Sequence, residues 1–169
     1  MKNLWPLPKK SPFCSSKVNF MALLEKQLKI RKSIIPGAGK GIFTTVDIPA
    51  KTKIVEYKGR LVKWKEVKDE DGYNPYIFKI NSRWAVDALH DKQVIGRYAN
   101  DARGFARAEG MRNNCEYIVE GKKVFIASTR KIHKGGEIYV DYGRGFWSLL
   151  NKIMKKPDYA ERCKEIRRK

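Results

Sequence analysis

Three short segments carry residue types that could bind a ligand or act on one. Gly37, Gly39 and Gly41 alternate in PGAGKGIF, and such glycines let the chain turn sharply and a ligand approach the backbone. The segment lacks the Ser or Thr that follows the lysine of a phosphate-binding GxxxxGK[ST] loop, which excludes that type of site. Asn100 in GRYAND offers a donor and an acceptor on one compact side chain. Tyr142 in IYVDYG stands just beyond a predicted strand.

Each of these segments also has a purely structural interpretation, as a turn or as packing. The order of several segments along the chain is what favours a functional interpretation. Five of them, in order and spacing, resemble the SET domain of protein-lysine methyltransferases. The resemblance covers roughly Leu28–Trp147 and rests on PGAGKGIF, VEYKG (Val55–Gly59), AVDA (Ala85–Ala88), GRYANDARG through RNNC (Gly96–Cys115) and GGEIYVDYG.

The resemblance implies a reaction and a cofactor: transfer of a methyl group from S-adenosylmethionine to a lysine amine of a protein. It implies Tyr142 as the active-site tyrosine, with Tyr57 and Tyr117 beside it in the lysine channel. The resemblance also implies Val140 and Phe146 as residues of the substrate channel. The implied cofactor-binding residues are Ala38, Gly39, Lys40, Arg97, Tyr98, Asn100, Asp101, Tyr142 and Trp147. The first three would act through their backbone, and Trp147 or Phe146 would stack on adenine.

The chain departs from the family pattern at several places. Asp101 stands where histidine is usual, Asn113 stands where proline is usual, and the loop between Asn100 and Asn114 is longer. The cysteine-rich zinc module that often follows the domain is missing, since only Cys163 lies downstream. We therefore expect no metal, and expect Phe146, Trp147 and a C-terminal helix to close the site instead.

The chemistry of such a site follows from the target amine. A free lysine has a pKa near 10.4, so about one in 10³ is neutral and nucleophilic at pH 7. A narrow apolar channel lowers that pKa because desolvation disfavours the ammonium form. The protein then supplies alignment and a dry site. Tyr117, whose hydroxyl would occupy channel space beside the small Val140, favours monomethylation.

The elements that must position these residues are mostly short strands. Alternation and turn residues predict eight strands: 28–34, 41–43, 53–57, 76–80, 84–87, 115–119, 124–127 and 137–140. Hairpins are predicted at Asn81-Ser82-Arg83 and Glu120-Gly121-Lys122. Helices are predicted from Asn19 to Gln27, over 62–68, and after a cap at Asp158.

The predicted fold class is mainly β (β-rich α+β). The resemblance implies a SET-type fold of several small sheets with a C-terminal pseudoknot, short helices and a C-terminal helix. The predicted organisation is a basic N-terminal arm with a short helix (1–27), a SET domain (28–147) and a basic helical extension (148–169). The stretch 1–18 is predicted to be flexible.

The net charge of +19 is concentrated at the ends of the 169-residue chain. Basic tails predict attraction to nucleic acid or an acidic partner, although a well-solvated surface explains the same charge. No apolar run has the roughly 18 residues of a membrane span, and Cys14, Cys115 and Cys163 form no paired framework. We expect an intracellular protein, nuclear if eukaryotic and cytoplasmic if bacterial.

The expected substrate is a lysine-bearing protein, either a histone or another nucleic-acid-associated protein. Two other functions stay open at this point. One is a catalytically silent SET-like module that binds nucleic acid or chromatin, and the other is a small basic β-barrel that binds RNA.

Overall fold

The structure is a computed structural model that describes residues 23–104 and 110–168. The predicted flexible arm and the helix start at Asn19 lie outside the described residues. The end of that predicted helix, Glu25–Gln27, is one 3-10 turn.

Eight short strands form three small antiparallel sheets in the described residues. They are β1 (Leu28–Lys32), β2 (Lys40–Thr44), β3 (Lys53–Glu56), β4 (Arg60–Lys63), β5 (Ile77–Lys79), β6 (Trp84–Asp87), β7 (Cys115–Glu120) and β8 (Lys123–Ser128). The sheet orders are β1-β2, β3-β8-β7 and β4-β6-β5. Both predicted hairpins and the mainly β class are confirmed.

The two hairpin turns follow from their residues. Asn81 Oδ1 accepts hydrogen bonds from the backbone N–H groups of Arg83 and Trp84, which closes the β5–β6 turn. Gly121 has a φ of 61° between β7 and β8, a backbone conformation that glycine adopts without strain. In both cases the turn chemistry visible in the sequence fixes the pairing of the neighbouring strands.

Two predicted elements differ from the structure, one in its bounds and one in its type. The helix predicted over 62–68 is shorter, because Val62 pairs with Ala85 across β4 and β6 and is buried there. The helix α1 is Trp64–Val67. The strand predicted over 137–140 is a series of single bridges, since its residues pair in turn with Phe43, Asn100 and Cys115. A segment that changes partner at each step forms no ladder.

The segment that follows Glu137 lies between two others. Val140 N–H donates to the Asn100 carbonyl, and Cys115 N–H donates to the Tyr139 carbonyl, each at 2.8 Å. A C-terminal segment bonded on both sides is the arrangement that a pseudoknot requires. The packing is tight, because Val140 has no exposed surface.

Two helices complete the chain: α2 (Arg144–Ile153) and α3 (Tyr159–Arg168). The second confirms the prediction after Pro157-Asp158, whereas α2 was not predicted. Leu149, Leu150 and Ile153 of α2 pack with Tyr73 and Leu89 in a separate apolar cluster. No helix in the described part of the chain is long and apolar enough to cross a bilayer.

Candidate functional site

A cavity of about 470 Å³ lies where the glycine turn, the GRYAND loop and helix α2 meet. Ten of the thirteen predicted site residues line it: Ala38, Gly39, Lys40, Tyr57, Arg97, Tyr98, Asn100, Tyr117, Tyr142 and Phe146. The fold therefore brings together residues that lie more than a hundred positions apart in the sequence, such as Ala38 and Phe146.

The three predicted catalytic tyrosines meet in this cavity through defined contacts. The Tyr142 hydroxyl donates to the Ala99 carbonyl at 2.6 Å, and the Tyr57 hydroxyl donates to the Tyr76 carbonyl at 2.9 Å. The ring of Tyr117 meets that of Tyr57 edge-on, with centroids 5.8 Å apart. These contacts fix the hydroxyl directions of Tyr57 and Tyr142 and pack the Tyr117 ring against Tyr57.

The three phenols stay neutral at physiological pH. Burial is the main cause that raises the pKa of Tyr57, Tyr117 and Tyr142 above the ordinary value. For Tyr142, the carboxylate of Asp101 raises the pKa further, since it repels a second negative charge. These groups are hydrogen-bond donors and acceptors rather than bases.

Arg97 is the cation inside the cavity wall. It is 8% exposed, and its guanidinium carbon lies 3.8 Å from the centre of the Tyr76 ring. Among the described residues, no partner accepts a hydrogen bond from its Nε or Nη1. A buried charged donor without a partner is costly, and an anion in the cavity would relieve that cost.

The charge of the wall has one sign. Lys40 and Lys92 line the same cavity as Arg97, and no described lining residue is Asp or Glu. A carboxylate is therefore favoured as a ligand group on the Arg97 side. The described residues also contain no cluster of three or more His, Cys, Asp or Glu that could hold a metal ion.

Asn100 connects the glycine turn to the loop. Its Nδ2 donates to the Lys40 carbonyl at 3.0 Å and to Glu137 Oε1 at 3.2 Å. Glu137 is 3% exposed and also accepts hydrogen bonds from Ser33 Oγ and the Tyr139 hydroxyl. The asparagine that the sequence singled out therefore holds two walls of the cavity together.

Three predicted site residues do not line the cavity. Asp101 is buried below it, with its carboxylate occupied by hydrogen bonds from the protein. Val140 is fully buried in the main core beside Cys115. The Trp147 ring stacks on Tyr142 with centroids 5.9 Å apart and an interplanar angle of 15°. Of the two residues proposed for adenine stacking, Phe146 is the one that lines the cavity.

Five lining residues were not predicted: Pro75, Tyr76, Ile77, Phe78 and Lys92. The first four run from the turn before β5 into that strand, where the apolar alternation indicated only a strand. An aromatic-rich strand directly after a proline turn was the available signal, since Phe78 packs on Tyr117 with ring centroids 4.7 Å apart. Lys92 lies in a polar loop and carried no sequence signal.

Comparison with known proteins agrees with this geometry. The SET-domain family profile matches residues 39–143. Histone-lysine N-methyltransferase set-1 of Caenorhabditis elegans is 26% identical over 129 residues, which cover 70% of this chain and 51% of that protein. Human histone-lysine N-methyltransferase EHMT1 is 28% identical over 141 residues, which cover 75% of this chain and 10% of that protein.

A solved structure shares the fold. It is a humanized mutant of the Chaetomium thermophilum Polycomb Repressive Complex 2 bound to the inhibitor GSK126, with a TM-score of 0.55 and 21% sequence identity. The match covers 70% of this chain and 15% of that one. The chain spans about half the length of the nematode relative and a tenth of the human one. The profile match covers more than half of the chain and includes the glycine turn from Gly39 onward, the GRYAND loop and Tyr142, so the chain belongs to the SET-domain family.

Proposed function

We propose that this chain is a protein-lysine methyltransferase that uses S-adenosylmethionine. The observation that carries the proposal is Arg97, a buried guanidinium with two unpaired donors in a cavity lined by three tyrosines. Such a group fits the carboxylate of an amino-acid ligand, because guanidinium and carboxylate match in charge and geometry. When bound, S-adenosylmethionine supplies a methyl group activated by its sulfonium.

The residues around Arg97 fit the remainder of that ligand. Ala38, Gly39 and Lys40 bring backbone to the cavity surface, and a Cβ on Gly39 would meet no atom within 4 Å. The absence of a side chain there leaves the backbone open to a close contact. Phe146 offers an apolar ring on the α2 side of the cavity.

The opposite side suits the lysine. Tyr57, Tyr117 and Phe78 form an aromatic wall, which desolvates an entering amine and lowers its pKa. The Tyr142 hydroxyl donates a hydrogen bond to the Ala99 carbonyl, so the phenol oxygen can still accept a hydrogen bond from the amine N–H. That bond would orient the lone pair of the amine nitrogen. The neutral phenol takes no proton, and the amine must lose its own to solvent before transfer.

The proposed substrate is a histone or another protein associated with nucleic acid. The support is twofold: relatives are named histone-lysine methyltransferases, and the net charge of +19 attracts acidic assemblies. This substrate class would place the protein in the nucleus of a eukaryotic cell. Basic tails would add nonspecific, salt-dependent contact with nucleic acid.

The direct test is methyl transfer from radiolabelled S-adenosylmethionine to histones, nucleosomes and lysate proteins. Tyr142→Phe should lower kcat about 10- to 100-fold, the effect of one hydrogen bond that orients the amine. Arg97→Ala should raise the cofactor Kd by about 10²-fold in calorimetry. Arg83→Ala, an exposed cation in the β5–β6 turn, is the matched control and should change neither value.

Two outcomes contradict the proposal. Full labelling by both site variants would show that the site lies elsewhere. No measurable cofactor binding by the wild type, together with salt-sensitive binding of DNA or RNA, would favour a catalytically silent module that binds nucleic acid.

A further inference from the structure

Asp101, which stands where the family has histidine, is a junction of four hydrogen bonds. Its Oδ1 accepts from Arg103 N–H at 2.7 Å and Asn113 Nδ2 at 2.8 Å. Its Oδ2 accepts from Tyr142 N–H at 2.9 Å and Trp147 Nε1 at 2.8 Å. The residue is 5% exposed. All the lone-pair directions of the carboxylate are engaged by the protein.

The two bonds to Oδ2 bridge the start of helix α2. Tyr142 precedes the helix, Gly143 makes the turn with a φ of 84°, and Trp147 lies in the first helical turn. One oxygen atom therefore ties the backbone of the tyrosine and the helix that follows it to the GRYAND loop. Phe146, between these two anchors, faces the cavity.

Gly104 is a second, independent observation that the loop is shaped to hold the Trp147 indole in this position. A Cβ at Gly104 would lie 2.7 Å from Cη2 of Trp147, so the absence of a side chain leaves space for the ring. On another side, Trp147 stacks on Tyr142 and meets Phe146 edge-on at 5.2 Å. The loop residue and the helix residue are shaped to each other.

We infer that Asp101 is a positioning residue that holds helix α2 against the cavity and thereby aligns Tyr142 and Phe146 for methyl transfer. The inference rests on the proposed function and deepens it. It assigns to one carboxylate of this chain the holding of the C-terminal segment, Tyr142 and helix α2, against the site. The carboxylate acts through Tyr142 and Trp147 and touches no substrate.

Asp101→Asn is the sharpest variant because it keeps the shape of the side chain. An amide has one oxygen, so in either orientation its NH₂ faces two N–H donors and one pair of bonds is lost. We expect kcat/KM to fall by about 10²-fold, as expected for a misaligned reacting group. Asp141→Asn makes the same charge change one residue before Tyr142, at an exposed carboxylate, and should change kcat/KM less than about threefold.

A readout that needs no catalysis is the Trp147 indole N–H, followed by NMR hydrogen exchange. Its exchange should accelerate at least about tenfold in Asp101→Asn, because the partly buried hydrogen bond that protects it is broken. Gly104→Ala, which leaves all four donors in place and pushes on the indole, should have the same effect and lower kcat/KM. It serves if Asp101→Asn fails to fold.

Trp147→Phe removes the indole N–H that would face the introduced amide NH₂, and it should restore part of the kcat/KM that Asp101→Asn loses. The double variant Asp101→Asn/Trp147→Phe should be more active than the product of the two single effects, the mark of direct coupling. Unchanged indole exchange and unchanged kcat/KM in both Asp101→Asn and Gly104→Ala would overturn the inference. A wild type that transfers no methyl group would instead refute the proposed function, and the exchange data would still decide whether Asp101 holds the helix.

Discussion

Asn113 Nδ2 donates a hydrogen bond to Asp101 Oδ1 at 2.8 Å, and both residues are departures from the pattern of the SET family. The amide oxygen of Asn113 accepts the N–H of Ala102 at 2.8 Å, so the amide has no freedom to flip. Both side chains are buried, at 5% and 8% exposure. The two unusual residues therefore form one matched pair, in which the buried aspartate of the GRYAND loop requires a donor opposite it.

Replacing the Asn113 amide donor with a carboxylate should lower the free energy of unfolding more than removing the side chain. Asn113→Asp places two carboxylates in contact and should cost about 3 kcal/mol or more of folding free energy, because neither charge is paired there. Asn113→Ala should cost about 1–3 kcal/mol, since it leaves the Ala102 N–H and one Asp101 lone pair unsatisfied. Denaturant unfolding of both variants checks the order, and equal stability would show that the pair carries no weight.

A second prediction concerns Gly41 on β2. A Cβ at this position would collide with the Glu137 carboxylate and lie 3.3 Å from Asn100 Nδ2. Gly41→Ala should therefore displace Glu137, break its bonds to Ser33 and Asn100, and lower the free energy of unfolding by about 3 kcal/mol. The melting temperature should fall by about 6–12 °C for a chain of this size.

The matched control is Gly121→Asn in the β7–β8 turn. That glycine has a positive φ, but a Cβ there meets no atom within 4 Å, and asparagine tolerates the conformation. We expect a change within about 0.5 kcal/mol. A control that destabilises as much as Gly41→Ala would mean that the strand position of Gly41 is not special.

The hairpins could be predicted from the sequence because they depend on local chemistry: the Asn81 and Gly121 turns follow from residues that favour turns. The lining residues could not be found in that way, and ten residues that the family resemblance named lie at one cavity. The roles of those residues stay predictions. The burial of Val140 in the core could not be predicted, because its position beside Cys115 depends on three segments that meet only in the folded chain.

Helix α2 was missed although its signal is in the sequence. Phe146, Leu149, Leu150 and Ile153 recur at helical spacing, and the last three pack in one apolar cluster. Gly143 and Gly145 weaken the helical signal at its start, because glycine disfavours a helix interior. The bonds of Asp101 could not be predicted, since a carboxylate in a loop does not reveal which distant donors will meet it.

The free energy of unfolding should fall at high pH because the buried tyrosines resist ionisation in the native protein. Tyr57, Tyr117, Tyr139 and Tyr142 have a pKa raised chiefly by burial, so above pH 10 the unfolded chain loses protons that the native protein keeps. Stability is therefore intact below pH 10 and falls above it, by up to about 1.4 kcal/mol per pH unit for each such tyrosine. Thermal unfolding at pH 8–11 measures the slope.

Because these tyrosines stay neutral, the dependence of kcat on pH should show no step caused by tyrosine ionisation. The kcat of methyl transfer should rise with pH as the substrate amine loses its proton and should show no fall assigned to a phenol below pH 10. Ultraviolet titration of the native protein should likewise show these tyrosines un-ionised at pH 10. A phenolate signal at pH 8–9 that is lost in Tyr142→Phe would contradict the assignment of a neutral tyrosine.

The product state should depend on Tyr117. Its ring is fixed between Tyr57 and Phe78 on the channel wall, and Val140 lies in the core rather than in the channel. In the proposed reaction the Tyr117 hydroxyl would take the space needed by a second methyl group. Wild-type enzyme should therefore produce mainly monomethyl-lysine, and Tyr117→Phe should produce di- and trimethyl-lysine, as measured by mass spectrometry of a peptide substrate.

Tyr159→Phe makes the same change outside the cavity, where the ring packs on Tyr73, and should leave the product ratio unchanged. A wild type that already yields trimethyl-lysine, or a Tyr117→Phe variant with the wild-type product ratio, would show that the hydroxyl does not limit the space. The ratio is the decisive measurement because a loss of packing lowers the rate of every step, whereas freed space changes the relative rates of successive steps.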